Sequence, residues 1–116
     1  ALARSLVGPD VPEDVYQRVV ASISALHVDS YIKTIEATTH YDRSGVLAKI
    51  TVPTLVIGGE HDSLTPPAMK RELAGRIQGA QLEILPDCGH MANMERPGPF
   101  NLVVLDFLNT HRERAR

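Results

Sequence analysis

The chain has 116 residues, 43% of them hydrophobic, and a formal net charge of −2. That charge gives no basic patch for nucleic acid or an anionic membrane, and no apolar run approaches the length of a membrane span. The single cysteine excludes an internal disulfide and points to a reducing, cytoplasmic setting.

Ala1–Gly8 reads as the tail of a helix. It has no apolar core long enough for a signal peptide and no initiator methionine, so a fragment or processed piece is expected. Asp10 is placed to cap a helix whose first turn holds Pro12, Glu13 and Asp14. Val15, Val19, Ile23 and Leu26 then recur at helical spacing. Asp29 or Ser30 reads as a second cap, followed by Ile32 and Ile35. That helix frays in Ala37–His40, and Asp42 starts a short helix through Lys49 with Val46, Leu47 and Ile50 inward.

The pattern then changes. Thr54-Leu55-Val56-Ile57 is a short, uncharged, β-branched run with Pro53 at its mouth, the signature of a strand buried on both faces. Two glycines and Glu60-His61-Asp62 follow. Thr65 is a candidate N-cap with Pro66 and Pro67 in the first turn. Met69, Leu73 and Ile77 give that helix a packing face, and Gly79 suits its C-terminal turn. Gln81–Leu85 is a second strand, whose trailing loop carries Gly89-His90. Pro97 opens a last helix with Phe100, Val104, Phe107 and Leu108 on one face and Arg112, Arg114 and Arg116 at its negative end.

The order strand–acid–helix–strand–histidine implies a parallel crossover that brings Asp62 and His90 to one sheet edge. An acid beside a histidine is two-thirds of a catalytic triad: the carboxylate orients the imidazole, and the imidazole takes a proton from a nucleophile. Taken singly, Asp62 is as well explained as a loop cap and His90 as a solvated imidazole. Together, at the ends of consecutive strands, they favour catalysis. Other residues read more plainly. Cys88 is packing. His27, His40 and His111 are surface or helix-end residues. Met91 and Met94 flank His90 and either line a substrate pocket or fill core. Glu95 ties its loop to the last helix. His61 beside Asp62 and His90 has no spacing that marks a metal site, and no cofactor motif is present.

Residues Ile50–Leu108 resemble the C-terminal part of an α/β-hydrolase. The family's order is a proline-led strand, Gly-x-x-Asp, a Pro-rich helix start, a strand, Gly-His, Glu-x-Pro and a Phe-bearing terminal helix. This chain supplies Pro53–Ile57, Gly59–Asp62, Thr65-Pro66, Gly89-His90, Glu95-Arg96-Pro97 and Phe100. The resemblance implies an α/β fold in which 1–41 is the latter part of a cap and 42–116 the C-terminal core. It implies that Asp62 is the triad acid and His90 the general base. The flavour near His90 is similar to enol-lactonases and carboxylesterases, so a small-molecule ester or lactone is the implied substrate. None of Ser5, Ser22, Ser24, Ser30, Ser44 or Ser63 sits in a Gly-x-Ser-x-Gly elbow. The nucleophile is therefore expected outside this chain, with the chain alone inactive. Relatives of the same fold hydrolyse haloalkanes, epoxides or carbon–carbon bonds, or carry out cofactor-free oxygenation. A non-catalytic binding module is the third reading. Two strands leave an unpaired edge, so self-association is expected.

Overall fold

The computed structural model describes residues 1–112. In chain order the elements are α1 (Leu2–Ser5), α2 (Glu13–Ser24), α3 (Val28–Thr39), a 3-10 turn over Ser44–Lys49, β1 (Leu55–Gly59), α4 (Pro67–Gly75), β2 (Gln81–Leu85), α5 (Ala92–Glu95) and α6 (Pro97–His111). Arg114 and Arg116 lie outside the described residues. Among the described residues, no helix is long and apolar enough to cross a membrane.

The parallel crossover is present. β1 and β2 pair in parallel, with Leu55 opposite Gln81 and Gly59 opposite Leu85. Both strands therefore end at the same level. Their pairing continues into the loops, where the Glu60 N–H donates to the Leu85 carbonyl and the His61 N–H to the Cys88 carbonyl, both at 2.8 Å. Gly59 makes this possible. A Cβ there would run into the carbonyl oxygens of Gly89 and Cys88, so only glycine lets the second loop lie against the end of β1.

Both faces of β1 are covered, one more fully than the other. Val56, Gly58 and Gly59 are buried, whereas Leu55 and Ile57 are half-buried. Ile57 packs against the Leu85–Cys88–Ala92 cluster. Val15 and Val19 of α2 are buried as their spacing predicts, but Leu26 lies past the helix and is half exposed. Val19, Val7 and Ala3 form one core cluster, joined by Met91 from the loop after β2 and Met94 of α5. The second cluster, Leu85, Cys88 and Ala92, packs on Phe100 and Val103 of α6.

Several local expectations are corrected. Pro12, not Asp10, stands at the N-cap of α2, and His27 precedes α3 in place of Asp29 or Ser30. Asp42 does accept the Ser44 N–H at 2.8 Å, but Val46 is exposed. Pro66 stands at the N-cap position of α4 with no side-chain cap, and the Thr65 hydroxyl donates to Asp62 instead. Met69 and Leu73 face an open apolar groove shared with Val46 and Leu47, and only Ile77 is buried. Gly79 adopts the left-handed conformation (φ 74°) after α4 has already ended at Gly75. On α6 Phe100, Val104 and Phe107 are half-buried, but Leu108 is exposed.

Candidate active site

The site begins with a turn. The Asp62 N–H donates to the Gly59 carbonyl at 3.2 Å, so the chain folds back as it leaves β1. Asp62 Oδ1 then accepts the N–H groups of Leu64 at 3.0 Å and Thr65 at 2.9 Å. This is the local hydrogen bonding by which aspartate shapes loops. The capping role open to Asp62 in the sequence is thus real, and it leaves Oδ2 for other donors.

Oδ2 receives three. His90 Nδ1 lies 3.0 Å away, the Thr65 hydroxyl donates at 2.8 Å, and the Lys70 ammonium approaches to 3.3 Å. Asp62 itself is only 4% exposed. Burial pushes its carboxyl up, but the Thr65 N–H, the His90 ring, the Thr65 hydroxyl and the Lys70 ammonium outweigh burial and hold it well below the usual carboxylate range. The carboxylate is therefore an acceptor only, and the proton in the Asp62–His90 bond belongs to Nδ1. That leaves Nε2 as the basic nitrogen. Nε2 forms no hydrogen bond among the described residues, and the His90 side chain is about one-third exposed.

His90 is held from the other side by backbone. Its N–H and that of Met91 both donate to the Leu6 carbonyl, at 2.9 and 3.2 Å. Gly89 lets this strap sit close, since a Cβ there would lie 2.6 Å from the Val7 carbonyl carbon. Glu95 completes the arrangement. It is buried, and its carboxylate accepts the Gly8 N–H at 2.6 Å and the Gly89 N–H at 3.0 Å. It thus holds the His90 loop, as its place in the sequence suggests, and ties that loop to the N-terminal segment as well.

A cavity of about 180 Å³ opens beside the pair, lined by Gly59, Asp62, Lys70, His90, Asn93 and Phe100 among others. Met91 sits next to His90 but packs into the Ala3–Val7–Val19 cluster. Cys88 is fully buried, and burial together with the Glu95 carboxylate pushes its thiol up. His61 pairs with Glu60 at 3.8 Å and groups with Asp87 in an exposed cluster that includes neither Asp62 nor His90. Ser5, Ser22 and Ser63 donate to backbone carbonyls, and none meets His90.

Thr65 and Lys70 are the members that the sequence pattern did not announce. A usable signal existed for both. Asp-x-x-Thr is a spacing at which a threonine can turn back to an aspartate. Helical side chains lean towards the N-terminus, which aims a first-turn lysine of α4 back at the loop.

A parallel strand pair with helices around it, presenting a hydrogen-bonded carboxylate and imidazole at one edge, is an α/β arrangement. The comparisons give the family. The chain belongs to the alpha/beta hydrolase fold family, whose model matches residues 4–97. A 2-hydroxy-6-oxononadienedioate/2-hydroxy-6-oxononatrienedioate hydrolase from Klebsiella pneumoniae is 37% identical over 84 residues, which is 71% of this chain and 29% of that protein. The enol-lactonase from Burkholderia xenovorans LB400 superposes with a TM-score of 0.78 at 36% identity, covering 82% of this chain and 36% of its own. An esterase from Exiguobacterium antarcticum has a TM-score of 0.85 over 93% of this chain and 40% of its own; at 21% identity it speaks for the fold alone. The chain therefore spans about a third of the length of the relatives it matches.

Proposed function

We propose that this chain carries the acid and the general base of an α/β-fold hydrolase acting on a small-molecule ester or lactone. Asp62 orients His90 and stabilises its charged form. His90 Nε2 takes the proton of a serine supplied from outside the 116 residues, then returns it to the leaving group. The observation that carries the reading is the 3.0 Å bond from His90 Nδ1 to an ionised, buried Asp62, with Nε2 left open beside a cavity. The similarity to an enol-lactonase supports the substrate class.

In this reading 1–41 is the latter part of a cap and 42–116 the C-terminal core, and Met91 backs His90 from the core side and does not line the cavity. The buried thiol of Cys88 suits a reducing, cytoplasmic setting. The unpaired edge of β1 is the seam for the rest of the fold or for a second copy. No cofactor is needed for this chemistry.

One observation favours a second reaction on the same scaffold. The Klebsiella pneumoniae relative is named for a 2-hydroxy-6-oxo dienedioate, a keto diacid, so hydrolysis at a ketone is the alternative. The test is turnover of a p-nitrophenyl ester, an enol-lactone and a keto dienedioate by the protein in its full natural length, with Asp62→Ala and His90→Ala alongside. Ester or lactone turnover lost in both variants is expected. The 116-residue chain alone is expected to be inactive, and turnover by it that His90→Ala abolishes would contradict the split of the triad.

A further inference from the structure

Lys70 is the one charged side chain that reaches the pair from α4. Its ammonium donates to the Thr65 carbonyl at 2.8 Å, to the Thr65 hydroxyl, and to Asp62 Oδ2 at 3.3 Å. Its side chain is only 16% exposed, so it is no solvated surface lysine. The stem reaches this place across Gly58 of β1. A Cβ on Gly58 would lie 2.9 Å from Lys70 Cγ and 3.2 Å from Cε. The missing methyl on the strand and the lysine stem therefore occupy one space.

The contacts also divide the donors. Because Lys70 donates to the Thr65 hydroxyl oxygen, the hydroxyl proton is free to point at Asp62 Oδ2, as its 2.8 Å distance shows. Thr65 Oγ1 lies 3.4 Å from His90 Nδ1, so a hydroxyl left unanchored could compete for the ring proton.

Charge adds to geometry. Asp62 and Lys70 together are neutral, and protonating His90 adds a net positive charge beside them. Without the ammonium, the same protonation would complete a neutral ion pair and be favoured. The other groups facing His90 do not supply this positive charge. Asp62 and the uncharged Thr65 come from the loop after β1, Glu95 reaches the preceding Gly89 N–H from α5, and the N-terminal segment offers the Leu6 carbonyl. Glu60 and His61 belong to the exposed cluster with Asp87.

We infer that Lys70 is a positioning residue that neutralises Asp62 and fixes the Thr65 hydroxyl, and so keeps the Asp62 carboxylate directed at the ring proton on His90 Nδ1, with Nε2 left to accept. The inference deepens the hydrolase reading, and its rate consequences rest on it.

The test uses the protein in its full natural length. The His90 ring is titrated by NMR in the parent, Lys70→Met, Lys70→Arg and Gly58→Ala, and kcat and KM are measured on a p-nitrophenyl ester at mildly acidic and mildly alkaline pH. Lys70→Met is nearly isosteric and removes the charge. Gly58→Ala displaces the stem while the lysine itself is kept. Both are expected to protonate His90 at higher pH than the parent and to lose about threefold to tenfold in kcat at the acidic pH, with KM little changed. Lys70→Arg keeps the charge and is expected to titrate close to the parent. A Lys70→Met protein whose His90 titrates as in the parent overturns the inference. If the titrations differ as expected but the parent turns over no ester, the inference about Lys70 stands and the ester reading fails.

Discussion

Helix α3 and the β1–β2 edge are equally plain as patterns, yet they end in opposite situations. Along α3 no residue is buried, and Val28, Ile32 and Ile35 remain 67%, 49% and 46% exposed. Its hydroxyls bond within the helix: Thr34 to the Ser30 carbonyl, Thr38 to that of Thr34, and Thr39 to that of Ile35. At the strand edge a local turn around Asp62 is joined by bonds from far along the chain. Asp62 reaches His90, Glu95 reaches Gly8, and His90 reaches Leu6. A helical stripe shows which residues could pack, but packing needs a partner. The edge combines a local turn with polar groups whose partners come from distant parts of the chain.

That contrast predicts a steep gradient of mutational effects. The largest effects fall on chemistry. In the full-length protein, Asp62→Asn and His90→Ala are each expected to lower kcat/KM by about 10⁴-fold while the far-UV spectrum stays native. A loss below about tenfold would break the comparison by making the edge no more consequential than the helix.

Next come the clamps. Glu95→Ala leaves the buried Gly8 and Gly89 N–H groups without their acceptor and should lower unfolding free energy in urea by about 2 kcal/mol. Gly59→Ala should cost more, because its methyl meets the backbone carbonyls of Gly89 and Cys88 and not a movable side chain.

Acid sharpens the same point. Asp62 is held below its ordinary value in the folded protein. Its contribution to stability is therefore complete above about pH 4 and is lost as pH falls through the lower folded value. Urea unfolding repeated from pH 6 downward should show that loss in the parent, and Asp62→Asn should lack that component. The smallest effect belongs to α3, where Ile32→Ser should change stability by no more than about 0.5 kcal/mol.

Much of this was legible in the residues. The uncharged run before Gly59, the proline ahead of it and the helix between two short strand patterns place Asp62 and His90 on one edge. The parallel pairing with equal strand ends is that expectation realised. What sequence could not carry was partner choice. Glu95 reads as a tie between its loop and the last helix; it does hold Gly89 of that loop, but it also binds Gly8, 87 residues away. Met69 and Leu73 have core spacing but face an open groove, since a period says which residues share a face and not what covers it. Thr65 sits where a cap belongs, but a carboxylate and an ammonium compete for its hydroxyl and win.

The most direct test of the acid–base assignment is fluorophosphonate labelling, which captures an activated serine. The protein in its full natural length is exposed to the probe beside its His90→Ala variant, and the labelled peptide is sequenced. A single labelled serine outside residues 1–116, with labelling lost in His90→Ala, is the predicted result. A label on a serine within this chain, or labelling that persists without His90, would contradict the account.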